Sequence, residues 1–307
     1  MRIRPSLRTI SFLSAYIVLT CCGFSARAED AKALLEQGKQ ALEANKFQAA
    51  IEAFDKVIEL DPQMTEAYRE RGWAKSRLIQ EDQGFDDIEQ AIKLDPKSGA
   101  SYHTRALMTI NLRHDYKAAI LDLDTAIQLG PEDWKNFNVR GFCKLQLQQF
   151  EEAIPDLTKA IELNPKTGNP HQHRAECLYA LGKYEQAVED FEAGIAKEEK
   201  PDDRQYYLTA ACHYVLQNYR KSIKYAKKAI SRDNDDWMCF QLIGHCHYAL
   251  KECQAAFANY DAMCKELPQD GKARHLRGLA LWELDRIPEA QMSFAQAKAL
   301  GYTGESK

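Results

Sequence analysis

The sequence predicts an all-α fold, a right-handed stack of eight helix-turn-helix repeats forming an α-solenoid, and two observations carry that prediction. The first is a 34-residue period from Ala31 onward. Counting each unit from 1, position 8 is small throughout: Gly38, Gly72, Ala106, Gly141, Ala175, Ala210, Gly244 and Gly278. Position 20 is Ala50, Gly84, Ala119, Ala153, Ala187, Ser222, Ala256 and Ala290, and position 24 is bulky in seven units, with Ala226 the exception. The second observation is that units carry two helical faces and that five of them end on proline, at Pro62, Pro96, Pro131, Pro165 and Pro268. A fixed period with paired helical signals marks a stacked array whose units bury their apolar faces on their neighbours.

The units run 31–64, 65–98, 99–133, 134–167, 168–202, 203–236, 237–270 and 271–304, followed by a tail at 305–307. The fourth shows the logic. Phe137, Gly141, Cys143 and Leu147 recur at helical spacing, Gln148-Gln149 interrupt, and Ala153, Leu157, Ala160 and Ile161 mark a second helix that Asn164-Pro165 ends. Glycine inside a helix costs roughly 1 kcal/mol against alanine, so five glycines at position 8 require a packing reason. The third unit carries an extra residue near Arg113-His114 and the fifth near Glu199-Lys200-Pro201. The sixth departs most, with Ser222, Ala226 and Asn234 at patterned positions, and is expected to pack most loosely. Pro155 sits early in a second helix and should bend it slightly.

These positions resemble the tetratricopeptide repeat, whose pattern has Gly or Ala at 8, Ala at 20, an aromatic at 24 and Pro at 32; the resemblance covers residue 31 to about residue 304. It implies a non-enzymatic scaffold whose first helices line a concave groove through positions 2, 5, 9, 12 and 13. Position 12 is Tyr179, Tyr214, Tyr248 and Trp282 in four consecutive units, joined by Tyr207 and His275 at position 5 and by Glu176 and His245 at position 9. Aromatics give large contact area at little entropy cost, so this ladder is the candidate ligand-binding site, set against the alternative that position 12 merely packs. The family's chaperone adaptors hold a C-terminal carboxylate with Lys and Asn at fixed positions; the first unit has Leu35 and Lys39 there, and no three consecutive units supply the set.

Residues 1–28 stand apart. Arg2, Arg4 and Arg8 precede a mainly apolar run from Ile10 to Phe24, then Ala26-Arg27-Ala28, the order of a secretory signal peptide cut after Ala28. The expected location is periplasmic or secreted, the alternative an uncleaved membrane anchor. Removing the segment's four arginines takes the formal charge from −4 to −8, which argues against nucleic acid. Membrane contact would then come from an uncleaved N-terminus or from the basic run Arg220, Lys221, Lys224, Lys227, Lys228 and Arg232. Unit two has the opposite bias, with Glu81, Asp82, Asp86, Asp87 and Glu89. Self-association is a further reading.

Export makes cysteines candidates for disulfides. Cys143, Cys177, Cys212 and Cys246 all occupy position 10, where a small buried residue is wanted and equivalent positions lie too far apart to bridge. Cys239 and Cys264, on antiparallel helices of one unit, are the open disulfide candidate. No phosphate-cradling loop, zinc motif or nucleophile elbow occurs, so no cofactor, metal or catalytic residue is expected. His245 and His247 leave a helix in nearly opposite directions and cannot share a metal, and His213 and His247 are read as core histidines. The leading function is an exported scaffold that binds a peptide or protein segment. A glycan- or envelope-polymer-binding module and a structural subunit of an envelope complex are the alternatives.

Overall fold

The computed structural model describes residue 27 and residues 29–198, 200–230 and 237–304. The proposed signal segment, Arg232 and Asn234 therefore fall outside or almost wholly outside the described residues. The described chain is all-α. Its helices are α1 (29–43), α2 (Phe47–Leu60), α3 (Thr65–Arg77), α4 (Glu81–Leu94), α5 (Gly99–Met108), α6 (Tyr116–Leu129), α7 (Trp134–Gln146) and α8 (Phe150–Leu163). They continue as α9 (Asn169–Ala180), α10 (Tyr184–Lys197), α11 (Asp203–Val215), α12 (Tyr219–Ile230), α13 (Trp237–Ala249), α14 (Cys253–Glu266), α15 (Gly271–Glu283) and α16 (Ile287–Ala299). They group into two compact units that divide between Cys143 and Lys144, inside α7. The 34-residue period itself runs through this division without a break.

Each pair turns in the same way. Position 15 adopts a left-handed conformation in all eight repeats, at Asn45, Ile79, His114, Gln148, Gly182, Gln217, Lys251 and Asp285, with φ between 52° and 72°. The following amide then reaches back to the helix it has left, as Lys46 N does to Ala41 O (2.8 Å) and Glu252 N to His247 O (2.9 Å). That closure satisfies carbonyls the helix end would leave unpaired. The extra residue of the third repeat is absorbed where the sequence placed it, by a π-helical turn at Thr109–Arg113 ahead of His114. Between repeats, Asp61, Asp95 and Asn164 accept from the amide two residues on, forming turns before the next helix.

Inside a pair, the small residue at position 8 faces the large one at position 24. A Cβ on Gly38 would lie 2.4 Å from Phe54, and one on Gly278 would lie 2.5 Å from Phe294. Phe54, Phe191 and Tyr260 are buried, as are Cys143, Cys177, Cys212 and Cys246 at position 10. Burial pushes the thiols of Cys143, Cys177 and Cys212 up to about 12, so they pack as small apolar groups. Cys239 and Cys264 are also buried and no disulfide joins them, with Cys264 packed with Met263 and Ala273. The sixth repeat fills its missing ring differently: Ser222 Oγ donates to Ala210 O (2.8 Å), and Tyr225 stacks on His213 (5.5 Å) beside Ala226. α8 runs unbroken through Pro155.

A second periodic feature escaped the sequence reading. Arginine at position 7 holds the aspartate sixteen or seventeen residues later: Arg71–Asp87, Arg105–Asp122 and Arg174–Asp190, each through two N–H···O bonds of 2.5–2.9 Å. Arg71 also reaches Asp55 (2.6 Å), and Arg277 reaches Asp261 (3.0 Å), both in the preceding repeat. Asp87 is therefore a buried structural carboxylate, also held by Lys75 (2.8 Å), and not part of an acidic outer block.

Candidate functional site

Within the second unit, first helices α9, α11 and α13 and the start of α15 enclose a groove of about 420 Å³. Tyr179, Tyr207, Tyr214 and His245 line it, so four of the eight candidate residues converge. Tyr179 and Tyr214 are half-buried because each ring packs against the tyrosine opening the next helix, Tyr184 at 5.7 Å and Tyr219 at 5.9 Å. Position 12 thus packs on one edge and faces the groove on the other.

The floor is set by His245. Its Nδ1 lies 2.8 Å from the buried Tyr260 hydroxyl and its Nε2 lies 3.2 Å from the Gln241 amide nitrogen. With Gln241 donating to Nε2, the ring proton sits on Nδ1 and is directed at the Tyr260 oxygen. Burial, and secondarily the charge of Lys272, lowers the His245 pKa, which keeps the imidazole neutral. Burial likewise raises the Tyr179 and Tyr214 phenols, so these rings are uncharged at neutral pH. Charge enters only at the rim. There Asp270 caps α15 by accepting from the amides of Lys272 (2.7 Å) and Ala273 (3.4 Å), and the exposed Lys272 side chain stands beside it.

Three further wall residues were not singled out from sequence: Val215, Trp237 and Met238, 48%, 36% and 41% exposed. Met238 is at position 2 and Val215 at position 13, both groove-facing in the repeat pattern, so their signal lies in the repeat register rather than in aromatic character. The other candidates lie elsewhere. Tyr248 donates to Glu283 (3.3 Å), Trp282 is 52% exposed, and His275 packs between Phe294 (5.3 Å) and Tyr302 (5.1 Å) in a separate hollow. The ladder does not form one groove wall. Glu176 is taken up by Arg204 (2.8 Å) and Gln172 (3.3 Å), which removes the free carboxylate a sugar-binding reading would use.

His213 is buried, with Nε2 3.2 Å from Glu192, and His247 meets Glu252 at 2.6 Å. Among the described residues no cluster of His, Cys, Asp or Glu has metal-holding geometry, and no helix is long and apolar enough to cross a membrane.

Paired helices on a 34-residue period with an apolar groove on their first helices define a helical-repeat scaffold. Two tetratricopeptide-repeat family models match, one over residues 35–74 and the other over residues 144–212, and the chain is a tetratricopeptide-repeat protein. The small glutamine-rich tetratricopeptide repeat-containing protein 2 of Mycosarcoma maydis is 43% identical over 77 residues, 25% of this chain and 21% of that protein. The chain thus spans about a fifth of the length of the curated relatives it matches. Among solved structures, Pseudomonas aeruginosa pilF aligns over 68% of this chain and 94% of its own, with a TM-score of 0.63 and 18% identity. YrrB, described as a repeat protein with an unusual peptide-binding site, aligns over 62% of this chain and 97% of its own, with a TM-score of 0.52 and 22% identity. At these identities the structural likeness establishes the fold. That fold supports a protein–protein interaction scaffold.

Proposed function

We propose that this protein is an exported scaffold that captures a peptide or protein segment in the groove of its second unit, with an uncharged, apolar or aromatic side chain as the anchor. The observation that carries this reading is the convergence of Tyr179, Tyr207 and Tyr214 with the exposed Trp237, Met238 and Val215 around a neutral histidine. Exposed apolar surface concentrated in a concavity marks a recognition site, and aromatic anchors in such pockets carry most binding energy. Rim charges at Asp270 and Lys272 would orient the segment. The peptide-binding site named for YrrB accords with this reading. Export rests on the basic, apolar and Ala-x-Ala order of residues 1–28.

Selection of displayed random peptides on the mature chain tests the groove. The wild type should enrich peptides with apolar anchors, and Met238→Glu should lose them while keeping its melting temperature. Peptides retained equally by Met238→Glu would place recognition elsewhere. N-terminal sequencing tests export: a start at Glu29 supports it, and a retained Met1 would replace release with anchoring.

A further inference from the structure

The outer face of α12 takes no part in the groove, yet it carries the largest concentration of positive charge on the described chain. Arg220, Lys221, Lys224, Lys227 and Lys228 are all exposed, and the helix holds no acid. Two of these cations are engaged within the chain. Arg220 pairs with Glu252, and Lys228 lies over the rings of Tyr206 (5.2 Å) and Tyr225 (5.5 Å). Lys221, Lys224 and Lys227 have no ion pair among the described residues. The stripe is one helix wide. Glu252 borders one edge, and Glu192, 3.0 Å from the Tyr225 hydroxyl, borders the other, with Glu185 and Glu189 exposed on α10. A flat anionic membrane would have to meet those carboxylates too, whereas a single acidic helix would not.

Such a helix exists in this chain. α4, the second helix of its repeat as α12 is of its own, exposes Asp82, Asp86 and Glu89. Its remaining acids are spent internally, Asp87 on Arg71 and Lys75 and Glu81 on Arg113 at 2.6 Å. Asp82, Asp86 and Glu89 occupy repeat positions 18, 22 and 25, and Arg220, Lys224 and Lys227 occupy the same three positions. Spacings of four and three residues put each set on one helical face. Equivalent faces of two equivalent helices therefore bear opposite charge in matching register.

We propose that the basic face of α12 docks the acidic face of α4 of a second copy, a head-to-tail association held by charge. The contact joins two different patches, so each copy offers one free half of it, and association can continue beyond two chains. Exposed charge pairs of this kind are weak singly and screened by salt, so the assembly is a low-salt one.

Sedimentation velocity of the full mature chain at low and high salt, with two charge-reversed variants, tests this. One variant is Arg220→Glu/Lys224→Glu/Lys227→Glu, the other Asp82→Lys/Asp86→Lys/Glu89→Lys. All six side chains are exposed, so both should keep the wild-type circular dichroism and melting temperature. The wild type should associate at low salt and dissociate at high salt. Each variant alone should associate at least ~10-fold more weakly, the scale of three exposed contacts. An equimolar mixture of the two should associate again, because each then meets its complement. A wild type that stays monomeric at low salt, variants that associate as it does, or a mixture that stays monomeric would each overturn the proposal. If either variant fails to fold, the neutral versions Arg220→Gln/Lys224→Gln/Lys227→Gln and Asp82→Asn/Asp86→Asn/Glu89→Gln carry the same comparison without the mixture.

Discussion

Gly244 on α13 and Tyr260 on α14 fit one another: a Cβ on Gly244 would stand 2.5 Å from the Tyr260 ring, which is buried and holds His245 through its hydroxyl. One close approach therefore serves both the stability of the seventh repeat and the floor of the groove. Gly244→Val should destabilise the protein by about 1–3 kcal/mol, since overpacking must displace a ring that has no free space. It should also weaken peptide binding, because the ring cannot move without moving His245. Gln254→Val, at an exposed site on α14, is the control and should be nearly silent. Equal denaturation midpoints for the two variants would refute the contact.

The position-7 arginines should behave as structural residues. Asp190 accepts two bonds from Arg174 and one from His171 (3.0 Å) and is buried. Asp190→Ala leaves the guanidinium without its carboxylate and should cost about 3–5 kcal/mol. Glu162→Ala breaks only an exposed pair with Lys159 and should cost less than about 1 kcal/mol. Urea denaturation of both variants checks the contrast.

Acid should destabilise the fold in a defined window. Burial lowers the pKa of His103, His213, His245 and His275, and takes His173 down to about 4. For each, the unfolded side chain binds a proton near pH 6.5 while the folded one still resists it. The favourable difference is thus complete above that pH and is lost as pH falls toward the folded pKa. His173 alone accounts for about 3 kcal/mol of loss between pH 6.5 and 4. Denaturation at pH 7 and pH 5 should show a lower midpoint in acid, and His173→Gln should flatten the difference. A pH-independent midpoint would contradict the buried-neutral assignment.

Much of this was legible from residue spacing. Gly244 and Tyr260 sit sixteen residues apart, as Gly38 and Phe54 do, and the same pairing of a small residue with a large one recurs in seven of the eight units, Ala226 being the exception. The left-handed turn was not legible, because Asn45, Ile79, Gln148 and Lys251 share no chemistry. The demand at that point comes from closing the backbone, and even a β-branched isoleucine is made to meet it. The Arg71–Asp87 spacing was in plain view but reads as surface charge until burial is known. The groove was half legible. A common repeat position marked Tyr179, Tyr214, Tyr248 and Trp282 alike, and only the three-dimensional packing separates the two that line the groove from the two that do not.

The most direct test of the central claim is the affinity of a selected apolar-anchored peptide for Tyr214→Ala and Trp282→Ala, measured by titration calorimetry beside each melting temperature. Tyr214 lines the groove and Trp282 does not. The groove account predicts that Tyr214→Ala weakens binding by about 2 kcal/mol or more, the cost of truncating an aromatic anchor, while Trp282→Ala binds as the wild type does. Equal loss at both positions, or undiminished binding by Tyr214→Ala, would contradict it.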